Sequence, residues 1–446
     1  MALNPKIFKS YDIRGIYPDE LDEETAFKIG QAYAQITKAE TILVGRDMRI
    51  GSPELSKAVI EGVLSQGVNV YDTGMISCDG VYFGVGKTYD AGVYITASHN
   101  PKEYNGMKFP IHGSSGMKWL RGAELYEFMR DKTFAVASGK GKLIERDITP
   151  EYIEHVLSFA DLKKIRPLKI VIDAGNGMAG KIAPLLFKKL PGEIIPLNFT
   201  LDGTFPGHPS NPLLPESQVE ISKKVVETRA DFGIIMDGDT DRLFFVTEKG
   251  DFIRADVTLI LLAKHFLKHN PGVGIAYNLI CSRAVRERIA EWGGRPLRAA
   301  VGYVNVAEAM RNGQGIMSGE VSAHYAFRDN YYADSGFIAL MILISLISEE
   351  NRKLSDIMEG LNPYFRLDEI NFKTDKMQEI IAAAREKFKD GQQNELDGLT
   401  VEYKDWWLNI RPSNTEPLLR ITIEAETKEI AAEKEKEVRK FLEENL

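Results

Sequence analysis

Three times along this chain a short apolar run ends directly in a loop rich in glycine and polar residues. The first stretch holds TILVGRD (41–47), NVYDTG (69–74) and AGVYITAS (91–98). The pattern restarts at LKIVIDAGNGMAG (168–180) and ADFGIIMDGD (230–239), and again at GVGIAYNLICSRAV (272–285), with RPLRAAVG and QGIMSGE following. Amphipathic stretches fill the intervals. One is SPELSKAVIEGVLSQG (52–67), which reads as a helix with Ser52 as N-cap, Pro53 at its first position and Gly67 as its stop. Such alternation predicts α/β layers with mainly parallel sheets. Chemistry is then expected at the carboxyl ends of the strands, where the loops begin.

The last 80 or so residues read differently. A strand near RLDEINFKT, a helix from Asp375, strands LTVEYKD and LLRITIEAE, and a charged helix from Thr427 make an α+β unit. The expected organisation is three similar α/β modules (1–147, 148–251 and 252–362) plus a smaller C-terminal α+β domain (363–446). A chain of 446 residues is long enough for this at roughly 150 residues per domain.

Composition narrows the function classes. The balance of 56 basic against 64 acidic residues gives a net charge of −8, so nucleic acid is not an expected partner. A few arginines focused in a cleft can still bind an anionic small molecule. No apolar run approaches the roughly 18 residues of a membrane helix, and MALNPKIFKSYDIRG has no continuous apolar h-region. Only two cysteines, Cys78 and Cys281, without metal-ligand spacing, suggest buried thiols and a cytoplasmic home.

Four loops carry candidate chemistry. In TASHNPKEYNGMKF (96–109), Ser98 follows a strand and can be a nucleophile or phosphate carrier, with His99 and Lys108 nearby; alone, SHNP reads equally as a turn before a proline. DGDTDRLFF (237–245) places Asp237, Asp239 and Asp241 at alternate positions, a donor set of oxygens that suits Mg2+. It is not a calcium loop: Arg242 replaces the glycine, and a strand precedes Glu248. In SGEVSAHYAF (318–327), Glu320, Ser322 and His324 alternate along what reads as a strand edge and suit sugar hydroxyls. RPSNTEPLLR (411–420) gathers Arg411, Ser413, Asn414 and Thr415, a set that can nest a phosphate. GVYFGVGKT (80–88) is no P-loop, because Val81 stands where the first glycine belongs.

Together with SYDIRG near the start, these loops in this order resemble the α-D-phosphohexomutase family across essentially the whole chain. The resemblance implies four domains around a cleft, each supplying one loop. It implies Ser98 as the phosphoserine and Asp237, Asp239 and Asp241 as Mg2+ ligands, with the serine phosphate as a further ligand. Tyr11, Arg14, His99, Lys108 and Arg242 would line the transfer site. Glu320, Ser322 and His324 would read the sugar, with Gly302 and Tyr303 from VGYVNVAEAM, where Tyr303 departs from a frequent histidine. Arg411, Ser413, Asn414, Thr415 and Arg420 would hold the distal phosphate. The implied reaction interconverts hexose 6-phosphate and hexose 1-phosphate, with mannose and also glucose as sugar, through a 1,6-bisphosphate that also serves as activator. The bacterial-type phosphomannomutases are most similar. The implied partners are small sugar phosphates, with the chain a monomer or weak homo-oligomer. Competing readings are a phosphoglucosamine mutase, a magnesium-dependent sugar phosphatase and a non-catalytic sensor.

Overall fold

The computed structural model describes residues 3–413 and 418–445. Each of the three predicted restarts becomes a sheet with one shared strand order. In the first, Thr41–Arg46 lies between Asn69–Met75 and Ala91–Ile95, parallel to both, and Tyr104–Lys108 closes antiparallel on Ala91–Ile95. In the second, Leu168–Asp173 lies between Gly192–Leu197 and Phe232–Met236, with Leu243–Thr247 antiparallel on the latter. In the third, Gly274–Asn278 lies between Arg295–Ala299 and Gly315–Gly319, with Tyr325–Phe327 antiparallel on the latter. Numbering only the four strands named here in each module, the spatial order is 2-1-3-4 every time.

This equivalence places the chemistry. The tight turn from third to fourth strand holds Ser98 in the first module, Asp237 to Asp241 in the second, and Glu320 to His324 in the third. In each turn one non-glycine residue sits in the left-handed region: Ser98 at φ 48°, Thr240 at 72° and Ala323 at 66°. Such conformations cost of order 1–3 kcal/mol and persist where surrounding structure enforces them.

The third of the four strands in each module is buried along its whole length because both faces are covered. All five residues of Ala91–Ile95, Phe232–Met236 and Gly315–Gly319 are buried. One continuous core runs from Tyr152 to Leu361 through both the second and third sheets. Its spine is the helix Gly336–Glu350, in which every residue from Gly336 to Ile344 is buried. The first sheet has its own core.

The C-terminal part is an antiparallel sheet covered by helices Met377–Lys387 and Lys428–Glu444, with its own core. It meets the third module largely through polar contacts. Arg283 donates to the carbonyls of Lys404 and Tyr403, each at 2.7 Å, while Arg286 and Arg298 reach Glu402 at 2.6 and 3.0 Å. Among the described residues, no helix is long and apolar enough to cross a membrane.

Several local expectations change. Ser52 is the first residue of helix Ser52–Leu64, not its cap; its hydroxyl instead donates to Asp47 Oδ1 at 2.5 Å. That helix ends three residues before Gly67. RLDEINFKT holds two short strands, Phe365–Arg366 and Ile370–Lys373, both on Leu418–Ala425. GVYFGVGKT lies largely within helix Cys78–Lys87. Glu248 is engaged by the backbone amide and hydroxyl of Ser355, which fits no calcium loop.

Candidate active site

The four loops, 240 and more residues apart in places, line one cavity of about 560 Å3. Its walls include Tyr11, Arg14, Ser98, His99, Lys108, Asp241, Arg242, Gly302, Tyr303, Glu320, Ser322, His324, Arg411, Ser413 and Arg420. Asp237 and Asp239 lie just beneath, both fully buried. Asn414 and Thr415 fall outside the described residues.

On the floor, Ser98 Oγ donates to Asp237 Oδ2 at 2.6 Å and lies 3.3 Å from His99 Nδ1. Lys108 Nζ bridges Asp239 Oδ2 at 2.8 Å and Asp241 Oδ2 at 2.5 Å. Arg14 pairs with Asp12 at 2.9 Å and also reaches Asn100 Oδ1 at 2.9 Å and the carbonyl of Ala97. Arg242 and His324 form a backbone bridge between the second and third loops.

The segment from Glu320 to His324 is a turn, not the alternating strand edge expected. The amide of Ala323 donates to the Glu320 carbonyl at 3.0 Å and that of Glu320 to the His324 carbonyl at 3.1 Å. The left-handed Ala323 reverses the chain, so the side chains converge by curvature: Ser322 Oγ lies 2.9 Å from His324 Nδ1. Glu320 Oε1 accepts from the Gly302 amide and from Asn278 Nδ2, each at 3.0 Å. Gly302 has φ 119°, and a Cβ there would sit 2.4 Å from Tyr11 Oη, so only glycine fits.

In the same cavity, buried Arg411 reaches Glu369 Oε2 at 3.0 Å, and Arg420 reaches Glu369 Oε1 at 3.6 Å. One carboxylate thus orients two guanidinium groups toward the cavity they line.

Sequence comparison decides what these walls belong to. Descriptions of phosphoglucomutase/phosphomannomutase alpha/beta/alpha domains I, II and III match residues 5–128, 150–250 and 254–364. The phosphoglucomutase/phosphomannomutase C-terminal domain matches 369–441. The chain belongs to the α-D-phosphohexomutase family. It is 37% identical over 440 residues to a phosphomannomutase of Vibrio cholerae, covering 94% of each chain. It is 38% identical over 430 residues to a protein of Xanthomonas campestris described as phosphohexose mutases, again covering 94% of each. A solved phosphoglucomutase/phosphomannomutase family protein from Burkholderia thailandensis superposes with a TM-score of 0.92 at 32% identity, covering 100% of this chain and 98% of that one. The activity is that of a phosphohexomutase.

The charges of this phosphohexomutase are unevenly met. Burial, reinforced by Asp239 and Asp241, pushes the Asp237 carboxyl up to about 8. Burial works against a charged His324, yet Asp241 and Glu320 hold its imidazole up to about 10. Burial, then Arg242 and Arg14, pushes His99 well below the ordinary imidazole range. Lys108 takes the Oδ2 atoms of Asp239 and Asp241, while their buried Oδ1 atoms have no hydrogen-bond partner. Two buried carboxylates with unpartnered oxygens, next to Asp237, whose oxygens accept from Ser98 and the Arg242 amide, fit a hard dication.

Other residues of the site have no mark in the sequence. Arg49, 1% exposed, donates to four carbonyls of the serine loop: Ser98 at 2.7 Å, Asn100 at 2.6 Å, Pro101 at 2.8 Å and Tyr104 at 3.0 Å. It is the rigid backing of that loop. Cys78 is buried and free as expected, yet its Sγ lies 3.5 Å from Lys108 Nζ, beside the aspartates. Burial pushes its thiol well up, against the opposing pull of Lys108. Tyr303 packs edge-on against Tyr11 and Trp119 and tilted on His324, at centroid distances of 5.9, 5.8 and 5.8 Å.

Proposed function

We propose that this phosphohexomutase interconverts the 6- and 1-phosphates of mannose, and of glucose, through a phosphate carried on Ser98. The observation that supports this reading is that Ser98 and Arg411 line the same cavity. The cavity then offers both a hydroxyl and a guanidinium that can grip a second phosphate bidentately. A phosphatase needs no such second grip.

In the forward half-reaction the phosphorus–oxygen bond to Ser98 breaks and a new one forms to the free sugar hydroxyl, which gives up its proton while the leaving Ser98 oxygen takes one up. The resulting hexose 1,6-bisphosphate turns over in the cleft. Ser98 then takes back the other phosphate, regenerating phosphoserine. Added 1,6-bisphosphate activates by phosphorylating bare Ser98. Lys108, Arg14 and Arg242 supply the positive charge that phosphoryl transfer needs, and Tyr11 and His99 shape the pocket as neutral groups. Glu320 and Ser322 bind the C3 and C4 hydroxyls, supported by His324, Gly302 and Tyr303. Arg411, Ser413 and Arg420, with Asn414 and Thr415, hold the distal phosphate. Asp237, Asp239 and Asp241, with the phosphate on Ser98, would hold Mg2+, which supplies a further positive charge to the phosphoryl oxygens when bound.

We divide these duties at residues 147, 251 and 362, and expect a monomer or weak homo-oligomer. The two free, buried cysteines support a cytoplasmic location. A coupled assay with mannose, glucose and glucosamine 1-phosphates side by side tests the reading. Turnover confined to the glucosamine compound, or release of inorganic phosphate without isomer, would overturn it.

A further inference from the structure

Among the described residues, two groups of His, Cys, Asp and Glu place ligand atoms within 4.8 Å of one another. One is the active-site group of Cys78, Asp239 and Asp241. The other, His265, His269 and Glu349, lies on the third module and lines none of the active-site cavity. We propose that this second group is a His2Glu metal site for Zn2+ or a comparable late first-row dication. The inference stands independently of the sugar chemistry.

The helix Ala255–His269 carries His265 and His269 four residues apart, which puts both rings on one face. Their ring centroids are 5.3 Å apart. The neighbouring helix Gly336–Glu350 brings Glu349 to the same place, with Oε2 3.8 Å from His269 Nε2. Two imidazoles at i and i+4 with a carboxylate from elsewhere form an established zinc-binding pattern. Zn–N bonds of about 2.0–2.1 Å require ligand atoms roughly 3.3 Å apart, so the half-exposed His269 and the flexible Glu349 would close by about an ångström.

A second observation concerns His265. Its Nδ1 is buried and has no hydrogen-bond partner. A buried ring nitrogen left unpaired is uncommon in a folded protein. Burial also pushes its imidazole below the ordinary range, toward the neutral form that binds metals. The three side chains border a cavity of about 190 Å3, enough for waters to complete the coordination.

Other charges face the site. Lys268 Nζ sits 3.0 Å from Glu349 Oε2, Lys264 pairs with Glu350 at 3.1 Å, and Asp161 and Lys164 border the cavity. Lys268 is half exposed on a long stem, and its single charge is what a dication displaces. The two metal sites differ in kind: oxygen donors select Mg2+ below the cleft, whereas imidazole selects zinc-like ions here. A bound ion would tie the helix Ala255–His269 to the apolar spine of the central core and stabilise only the folded chain.

The test is a Zn2+ titration of metal-stripped full-length protein in excess Mg2+, read by native mass spectrometry and by thermal unfolding. Co2+ serves as a parallel spectroscopic probe. One Zn2+ should bind per chain and raise Tm. His269→Gln and Glu349→Gln should each weaken binding by more than the roughly 10–100-fold that loss of a supporting contact costs. Asp239→Asn should bind Zn2+ as the wild type does, and His269→Gln should keep full mutase turnover with Mg2+. Zn2+ binding unchanged in His269→Gln and Glu349→Gln, or none at micromolar metal, would overturn the proposal.

Discussion

Ser98 Oγ donates to Asp237 Oδ2 at 2.6 Å across 139 residues of chain, joining the equivalent turns of two sheets. The turns also touch through their backbones: a Cβ on Gly238 would sit 2.9 Å from the Ser98 carbonyl oxygen. Arg49 grips the far side of the serine loop through four carbonyls. Ser98 is therefore held in a left-handed conformation by contacts on both sides.

Ser98→Ala and Ser98→Gly should both abolish covalent phosphate and cut turnover by orders of magnitude. They should differ in stability. Glycine is free of the left-handed penalty of about 1–2 kcal/mol that alanine retains, so Ser98→Gly should be the more stable by about that amount. Intact mass after exposure to a hexose 1,6-bisphosphate and urea denaturation check the two halves. Phosphate on another residue would refute the assignment.

Chelation should stop transfer and Mg2+ should restore it. Asp239→Asn replaces a charged oxygen donor with a neutral one and should raise the Mg2+ concentration needed for half-maximal rate. Asp239 Oδ2 pairs with buried Lys108 at 2.8 Å, so the substitution should also weaken that ion pair and lower stability. Full activity in chelator would remove the metal from the mechanism.

Arg411 and Arg420 share Glu369, which sets where both guanidinium groups sit. Arg411→Ala should raise KM for the monophosphate and let more bisphosphate escape. One charge-assisted hydrogen bond is worth about 1.5–3 kcal/mol, so kcat/KM should fall at least about tenfold. Arg411→Lys should recover little, because a point charge cannot make the paired contact. Unchanged KM and unchanged leakage would place the grip elsewhere.

The strand-to-loop boundaries are legible in the sequence for a physical reason. A strand buried on both faces stays apolar until the chain leaves the sheet, so Ile95, Met236 and Gly319 end their runs one to three residues before the functional groups. Side chains whose role is fixed by distant partners leave no local trace. Arg49 is one arginine among many until four carbonyls of another loop surround it, and Cys78 is an ordinary buried thiol until Lys108 arrives from thirty residues on. The turn at Glu320 is misread as a strand because the reversal rests on one left-handed alanine, Ala323, which nothing in its residue type announces. The common 2-1-3-4 strand order is invisible for the converse reason: burial constrains only apolarity, so equivalent strands share no letters.

At the carboxyl end of the strand Leu168–Asp173, His208 Nε2 lies 3.2 Å from buried Asp173 Oδ1. Burial opposes a charged His208, but the contact with Asp173 prevails and raises its pKa. A group raised on folding stabilises fully below its unfolded value, near 6.5 for histidine, and loses that contribution as pH rises through the folded value. His208→Asn should therefore cost more stability near pH ~5.5 than near pH ~9. Denaturant titrations of both proteins at the two pH values measure it; an equal cost would mean His208 acts only as a neutral hydrogen-bonding group.

Specificity rests on which hydroxyls the walls can reach. Mannose and glucose phosphates differ only at C2, and in our reading Glu320 and Ser322 bind the C3 and C4 hydroxyls common to both. Glu320 Oε1 is already committed to the Gly302 amide and Asn278, so its carboxylate is held in one orientation. A site that hydrogen-bonds a hydroxyl rejects an analogue lacking it, but it cannot discriminate at a hydroxyl it never touches. Both sugars should be turned over, with kcat/KM values within about 1–3 kcal/mol of one another. Galactose 1-phosphate, inverted at C4, should be far poorer, because a buried carboxylate or hydroxyl would lose its partner. Glu320→Ala should lower the glucose and galactose rates together and narrow the gap between them. The deciding measurement is the set of kcat/KM values for the mannose, glucose and galactose compounds. A mannose preference above roughly a thousandfold would mean that some residue reads C2. Tyr303 is then the first to test, because it lines the cavity and its hydroxyl has no hydrogen-bond partner. Tyr303→Phe removes only that hydroxyl, so it should leave the mannose-to-glucose ratio unchanged if C2 goes unread, and shift it toward unity if Tyr303 is the reader.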